Sequence, residues 1–154
     1  EKTIIKKGSI IKSNSYLVEV TIDENSQIGP SARLRPKTKI GKKSKIGNFV
    51  EIKNSKIGNN VSIAHLSYVG DSEIGNNVNI GAGTITCNYD GKKKHKTIIK
   101  DNVFIGSNTS LIAPVVIESK SRIGAGSVIT KNIPKNSLAI ERSALKILRN
   151  KRSK

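Results

Sequence analysis

The chain has 154 residues, with 28 Lys and Arg against 11 Asp and Glu, a formal charge of +17, and 35% hydrophobic but only 3% aromatic residues. This length suits one domain, and a single cysteine excludes an internal disulfide framework and a cysteine-rich metal site. No apolar run reaches the roughly 18 residues that span a bilayer and no signal peptide is visible, which predicts a soluble, cytoplasmic protein. Because the chain contains no methionine, we expect it to be a processed or trimmed part of a longer polypeptide.

An aliphatic residue returns at every sixth position along most of the chain. The next residue is often a glycine. The residue four positions after the aliphatic one is small or β-branched, for example Ala32, Thr38 or Ser44. The series, with two one-residue deletions and one interruption, is Ile4, Ile10, Tyr16 (the one non-aliphatic member), Ile22, Ile28, Leu34, Ile40, Ile46, Ile52, Ile57, Ile63, Val69, Ile74, Ile80, Ile99, Ile105, Leu111, Ile117, Ile123 and Ile129.

A period of six fits neither an α-helix nor a β-meander, and it indicates an all-β fold, a parallel β-helix whose triangular coils contain three hexapeptides each. We expect about seven coils between Ile4 and Ile133, with the aliphatic side chains pointing inward. Small residues fit the corner interior, while glycines and the pairs Asn59-Asn60 and Asn76-Asn77 can adopt the left-handed backbone angles of corners.

Two segments break the repeat. Residues of about 86–97 are polar and must loop outward, and insertions in solenoids often collect on the functional face. After Pro134 the repeat is expected to stop, and 143–154 is typical of either a short amphipathic helix or a basic tail. The sequence therefore predicts a β-helix domain over 1–133 and a C-terminal extension over 134–154.

Few residues could carry out chemistry. His65 occupies the third place of a hexapeptide, which faces outward, and an outward imidazole can act as a general base near neutral pH. Spacing alone nevertheless favours a solvated surface histidine. His95 lies within a lysine run and is expected to be solvated, and Cys87 lacks an activating partner, so we expect a small, partly buried side chain. Two histidines also argue against a three-histidine zinc site, unless subunits share the ligands.

Basic residues concentrate in 37–45, in 92–96 and in the C-terminal tail. Such a surface is either simply solvated or attracts a polyanion. Because stacking aromatic residues are scarce, a phosphorylated metabolite or a cofactor with several phosphates is favoured over nucleic acid. Neither nucleic acid nor a membrane is expected as a partner.

Three stretches carry a more specific signature: Ala32-Arg-Leu-Arg-Pro36, Gly47-Asn-Phe-Val-Glu-Ile-Lys53, and residues 64–91, which include Ala64-His-Leu-Ser-Tyr-Val-Gly-Asp71. From about Ile28 to Arg142 the chain resembles the acetyltransferase half of the bacterial bifunctional enzyme family of UDP-N-acetylglucosamine synthesis, the glucosamine-1-phosphate acetyltransferases / N-acetylglucosamine-1-phosphate uridyltransferases. The resemblance implies a left-handed β-helix and a homotrimer with active sites between subunits. Members of the family carry a uridyltransferase domain ahead of the β-helix, so this chain is expected to be a fragment of such a protein or an acetyltransferase half that exists alone. In either case no uridyltransferase activity is expected from these residues.

The activity implied by the resemblance is transfer of the acetyl group of acetyl-CoA to the amine of glucosamine-1-phosphate, on the route to cell-wall precursors, without a metal. His65 matches the general base, and a backbone amide near Ala82 is the candidate oxyanion donor. Glu51 is expected at the substrate, where it and Asn88 would orient the amine or the imidazole. The matched sugar-phosphate contacts are Arg35, Lys53, Tyr68, Asn79 and Lys94. The matched acetyl-CoA contacts are Ala82, Asn88, Tyr89, Ser107, Ala125 and Arg142.

Two alternatives stay open from the sequence. One keeps the fold but changes the acceptor to another amino sugar or a nucleotide sugar. The other is a non-catalytic basic solenoid that binds polyanions, for which strongly salt-dependent binding would be the sign.

Overall fold

The structure, a computed structural model, describes residues 2–147 and shows short strands but no helix within them. The strands form three parallel sheets, here called A, B and C. Sheet A contains β1 (Ile4–Ile5), β4 (Val20–Ile22), β7 (Thr38–Ile40), β10 (Lys56–Ile57), β13 (Ser72–Ile74), β16 (Thr97–Ile99) and β19 (Val115–Ile117). Sheet B contains β2 (Ile10–Ile11), β5 (Gln27–Ile28), β8 (Lys45–Asn48), β11 (Ser62–His65), β14 (Asn79–Ile80), β17 (Phe104–Ile105), β20 (Arg122–Ile123) and β22 (Leu138–Ala139). Sheet C contains β3 (Tyr16–Leu17), β6 (Arg33–Leu34), β9 (Glu51–Lys53), β12 (Tyr68–Gly70), β15 (Ile85–Cys87), β18 (Ser110–Ile112) and β21 (Val128–Ile129).

Each coil contributes one strand to each sheet in turn, so the chain is a parallel β-solenoid with three faces, as the repeat predicts. There are seven complete coils, and β22 adds one strand of an eighth. Equivalent aliphatic residues stack directly on each other, as Leu34 does on Ile52 and Ile46 does on Ile63. These side chains are fully buried and form one continuous core along the solenoid. The left-handed sense stays a prediction.

The corners follow the prediction in one respect and differ in another. The small fifth-place residues such as Thr38 and Ser44 are buried inside the corners, and Asn60 and Asn77 have positive φ angles of 54° and 55°. Most glycines after the aliphatic position, however, do not have positive φ. Gly47 shows their role: a Cβ there would lie 1.9 Å from the carbonyl oxygen of Ala64 in the next coil. These glycines therefore permit close contact between coils.

The first coil differs from the predicted phase. Ile5, Ile11 and Leu17 stack on the buried Ile22, Ile28 and Leu34. The residues predicted to point inward, Ile4, Ile10 and Tyr16, are instead 57%, 51% and 62% exposed. The reason is that this coil lacks one residue before β4. The pairs Ile4-Ile5 and Ile10-Ile11 hide this deletion in the sequence, because either isoleucine of each pair satisfies the sixfold pattern.

Both irregular segments are shorter than predicted. Thr86 and Cys87 belong to β15 and Thr97 belongs to β16, so the external loop covers residues 88–96. At the other end, Leu138 pairs with Arg122 and Ala139 with Ile123, so the repeat continues past the boundary predicted at residue 133. Residues 141–147 have no regular secondary structure, and the rest of the predicted helix or basic tail lies outside the described residues. Within 2–147 no helix has the length and hydrophobicity to cross a membrane.

Candidate active site

The corner between sheets B and C carries the predicted site residues His65, Ala82, Ser107 and Ala125 in one row, which Asn48 of the preceding coil extends. We call these five residues the corner row. Backbone hydrogen bonds connect the members of the row from one coil to the next. The Gly83 N–H, next to Ala82, donates to the His65 carbonyl oxygen, and the Asn108 N–H, next to Ser107, donates to the Ala82 carbonyl oxygen. Because coils of a parallel sheet lie about 4.8 Å apart, the row forms a regular line of polar and small groups along the solenoid.

His65 ends β11, and its exposed imidazole contacts Asn48 of the preceding coil. The distance from Nδ1 of His65 to Oδ1 of Asn48 is 2.6 Å. Since an amide oxygen only accepts, the neutral imidazole donates from Nδ1 and keeps Nε2 as an unprotonated acceptor. This is the protonation pattern that a general base requires.

Arg142 lies beyond β22 near the far end of the corner row. Its neighbour Glu141 is held by two hydrogen bonds, from the Glu141 N–H to Oγ of Ser127 (3.1 Å) and from the Val128 N–H to Oε2 of Glu141 (3.1 Å). The Gly124 N–H also donates to the Ala139 carbonyl oxygen, which places this segment beside Ala125. The exposed cation therefore continues the line that begins at Asn48.

The opposite edge of sheet C, where it meets sheet A, carries a second group. Arg35 follows β6, Lys53 ends β9, and Lys94 reaches this edge from the external loop. Lys94 lies close enough to Lys53 to lower the pKa of Lys53, with further lowering from desolvation and from the charge of Arg35. We call these three residues the cation cluster.

Glu51 and Tyr68 lie in adjacent strands of the same sheet and are paired in register. The Glu51 carboxylate accepts a hydrogen bond of 2.9 Å from Nη1 of Arg35 and forms an ion pair of 3.6 Å with Arg33. It therefore holds the Arg35 guanidinium, while the partner of the imidazole within this chain is Asn48. A Cβ on Gly70 would lie 2.4 Å from the Tyr68 hydroxyl and 2.7 Å from Nδ2 of Asn88, so glycine leaves the space that both side chains use.

The external loop is closed by hydrogen bonds centred on Asp90. Oδ1 of Asp90 accepts from the N–H groups of Lys92 and Lys93, both at 2.7 Å, and Oδ2 lies 2.6 Å from Nε2 of His95. The Tyr89 hydroxyl donates to the Gly91 carbonyl oxygen. His95, expected to be solvated, is thus a half-buried part of the loop that presents Lys94.

Within one chain the predicted residues form two groups rather than one. His65, Ala82, Ser107, Ala125 and Arg142 follow the B–C corner, and Asn79 faces outward from sheet B. Arg35, Lys53, Glu51, Tyr68, Asn88 and Lys94 belong to sheet C and its edge with sheet A. Cys87 is half-buried in β15, as expected for a small side chain.

Sequence reasoning missed Asn48 and Asp71. Asn48 precedes His65 by 17 residues, the length of one coil with a deletion, so stacking the repeats could have revealed the pair. Asp71 lies inside a recognised motif but has no assigned role from it. Its carboxylate receives hydrogen bonds from two side-chain amides, Asn54 and Asn88, which only the folded structure shows.

The repeat and the fold define the class of protein. Residues 96–131 match the family described as bacterial transferase hexapeptide (six repeats), and residues 16–90 match the GMPPB C-terminal domain. Among solved structures, the acetyltransferase domain of PglB from Neisseria gonorrhoeae superposes with a TM-score of 0.66 at 22% identity, covering 79% of this chain and 54% of that one. PerB from Caulobacter crescentus, in complex with CoA and GDP-perosamine, gives a TM-score of 0.66 at 24% identity over 75% of this chain and 54% of that one. The chain is thus a parallel β-solenoid built of hexapeptide repeats.

Sequence relatives define the family more closely. The bifunctional protein GlmU of Thermodesulfovibrio yellowstonii is 63% identical over 146 residues, which cover 91% of this chain and 32% of that protein. GlmU of Acinetobacter baylyi is 53% identical over 143 residues, covering 93% and 32%. The chain therefore belongs to the GlmU family and corresponds to the C-terminal part of its members. It spans about a third of the length of these relatives.

Proposed function

We propose that this chain transfers the acetyl group of acetyl-CoA to the amine of glucosamine-1-phosphate, with His65 as general base. The observation that carries the proposal is the cation cluster. Lys53 and Lys94 approach each other closely enough to lower the pKa of Lys53, and Arg35 lies beside them. A phosphate dianion relieves this repulsion, and the guanidinium can donate to two of its oxygens at once.

The corner row supports the second half of the reaction. Ala82, Ser107 and Ala125 are small, so an extended pantetheine arm could lie close to the backbone, and the exposed Arg142 would meet a cofactor phosphate. His65 and Arg142 are four coils apart, a distance of about 19 Å at about 4.8 Å per coil. This length suits an elongated cofactor whose thioester lies near His65.

In the proposed step the substrate amine attacks the thioester carbonyl carbon while Nε2 of His65 removes its proton. The C–S bond then breaks, the imidazolium returns the proton to the CoA thiolate, and no acyl-enzyme forms. The oxyanion needs a donor. The Gly81 and Gly83 N–H groups donate to the carbonyl oxygens of Ile105 and His65, which leaves the Ala82 amide as the candidate.

The short distance between the amine and the phosphate of the proposed substrate favours a site shared between subunits. In glucosamine-1-phosphate the amine and the phosphate are on adjacent carbons, whereas His65 and the cation cluster occupy opposite edges of sheet C in one chain. A homotrimer in which the corner row of one subunit faces the cation cluster of its neighbour brings them together. Mixing His65→Ala with Lys53→Ala chains after joint refolding should then restore activity, and no recovery would contradict a shared site.

The direct test is thiol release from acetyl-CoA with glucosamine-1-phosphate as acceptor. His65→Ala should lower the rate by about 10²- to 10⁴-fold, the usual contribution of a general base, while Gln27→Ala, an exposed polar change on sheet B, should not. Equal rates for His65→Ala and the unchanged chain would refute the proposal. Arg35→Ala should impair a phosphorylated acceptor more than glucosamine, and the reverse would favour another amino sugar.

A further inference from the structure

Asp71 lies in the corner between sheets C and A, where its side chain joins two amides from different coils. Oδ1 accepts a hydrogen bond of 2.5 Å from Nδ2 of Asn54, and Oδ2 accepts one of 2.5 Å from Nδ2 of Asn88. The backbone of Asp71 is fixed as well, because its N–H donates to the Lys53 carbonyl oxygen and its own carbonyl accepts from Thr97. Asp71 thus connects the strand of the cation cluster to the start of the external loop.

A carboxylate accepts hydrogen bonds and donates none, so this contact determines which way the Asn88 amide points. The NH₂ group must face Asp71, which leaves Oδ1 of Asn88 as the amide atom free to act on another group. Asn88 is only 7% exposed, and Nδ2 lies close to the space beside Gly70 and the Tyr68 hydroxyl. The amide is therefore an oriented acceptor at the edge of sheet C.

We propose that Asp71 is a positioning residue that fixes the Asn88 amide so that its oxygen accepts a hydrogen bond from the acceptor amine. This inference rests on the proposed function. The amine must keep its lone pair for the thioester, and the ammonium form has none, so both forms approach Asn88 with N–H donors. Because the amine is next to the phosphate-bearing carbon, it lies near the cation cluster and hence near Asn88.

The same contacts define how Asp71 acts on the site. Each carboxylate oxygen accepts a hydrogen bond from a side-chain amide, so the carboxylate acts mainly through the orientation of Asn88. Its charge does favour the protonated form of Lys53, against the effects of Lys94 and Arg35. Asp71 thereby supports amine recognition through Asn88, and it supports phosphate binding only through this weaker electrostatic effect.

Asp71→Asn separates the two effects. Asparagine tolerates the positive φ of 48° at this position, so the corner is preserved. An amide at 71 no longer dictates the orientation of Asn88, and we expect the KM for glucosamine-1-phosphate to rise about tenfold, the equivalent of one hydrogen bond. Glucose-1-phosphate is the matched probe because its hydroxyl can donate or accept, so its inhibition constant should change less than about twofold.

The reciprocal variant, Asp71→Asn with Asn88→Asp, keeps a hydrogen bond between the two positions and an acceptor oxygen at 88. It should recover most of the lost affinity for the amine, whereas Asn88→Asp alone places two carboxylates together and should be worse than either. This pair also serves if Asp71→Asn does not fold. An unchanged KM in folded Asp71→Asn, or an equal loss for both sugar phosphates, would overturn the inference, as would a folded reciprocal variant without recovery. Failure of the unchanged chain to acetylate glucosamine-1-phosphate would instead refute the proposed function.

Discussion

At the scale of single residues, two neutral side-chain amides contact or belong to the proposed site. Asn48 holds the imidazole of His65 through one hydrogen bond and adds no charge beside it. Asn88 is held in the same way by Asp71. Each pair joins neighbouring coils, so the solenoid register itself brings the partners within contact distance.

We expect Asn48→Ala to lower kcat by about 10- to 100-fold because His65 then loses the partner that sets its tautomer and orientation, an effect known to be large in histidine-dependent catalysis. The KM for acetyl-CoA should hardly change, since Asn48 precedes the proposed cofactor positions along the corner row. Steady-state kinetics with both substrates varied provide the measurement, and Gln27→Ala is the control. An unaltered kcat would mean that the Asn48 contact is unimportant.

At the scale of elements, β15 adapts to the loop that leaves sheet C. The side chain of Thr86 points inward, at a position of sheet C where the other complete coils from β4 onward have an aliphatic residue. Its Oγ1 accepts a hydrogen bond of 2.8 Å from the Gly70 N–H. The hydroxyl therefore satisfies a backbone donor of β12, the strand that carries Tyr68. In contrast, the buried hydroxyl of Thr38 has no hydrogen-bond partner among residues 2–147.

These two threonines make a matched pair for stability measurements. Thr86→Val should destabilise the chain by about 1–3 kcal/mol because it leaves the buried Gly70 N–H unpaired. Thr38→Val removes an unpaired hydroxyl and should stabilise it by about 1 kcal/mol. Urea denaturation of both variants provides the comparison, and equal effects of the two changes would rule out this role for Thr86.

The loop over 88–96 should respond to pH through Asp90. The Lys93 N–H, the His95 side chain and the Lys92 N–H hold the pKa of Asp90 well below its usual value. Because the native pKa is depressed, the stabilisation is fully present above the unfolded-state value of about 3.9 and is lost as the pH falls toward the native pKa. We expect the NMR shifts of the Lys92 and Lys93 amide protons to titrate well below pH 3.9, and Asp90→Asn to abolish the inflection. An inflection at the ordinary value would contradict the loop geometry.

The sequence predicts regular elements better than their exceptions. From Ile22 onward the sixfold pattern locates the inward positions except Thr86, because aliphatic side chains fill the narrow core in all the other predicted places. The pattern fails at Ile4 and Ile10, where adjacent isoleucines make two registers look alike. The proposed site residues rest on motifs and stay predictions, whereas Asn48 and Asp71 emerge only when neighbouring coils are stacked, because their partners are far away in sequence.

At the scale of the whole molecule, a continuous aliphatic core coexists with a net charge of +17. The basic side chains occupy outward positions, such as Lys39 and Lys56, which are paired in adjacent strands of sheet A. Like charges so arranged repel one another, and this self-repulsion opposes the compact state.

Added salt should therefore stabilise the protein. Screening shortens the Debye length from about 30 Å at 0.01 M to about 8 Å at 0.15 M ionic strength, which weakens repulsion between exposed lysines. We expect the melting temperature to rise over this range, as measured by circular dichroism in sodium chloride. A fall in melting temperature would show that attractive pairs, such as Lys96 with Glu73, outweigh the repulsion.

The stacked corners also fix the distances between groups along the solenoid. Any two groups on the corner row are separated by a whole number of coils, so their spacing can change only in steps of about 4.8 Å. The distance between His65 and Arg142 is therefore determined by the number of coils between them. Insertion or removal of one coil would lengthen or shorten the ligand that fits by one such step. An outward loop such as 88–96 leaves this count unchanged, since β15 and β16 still enter their sheets in register.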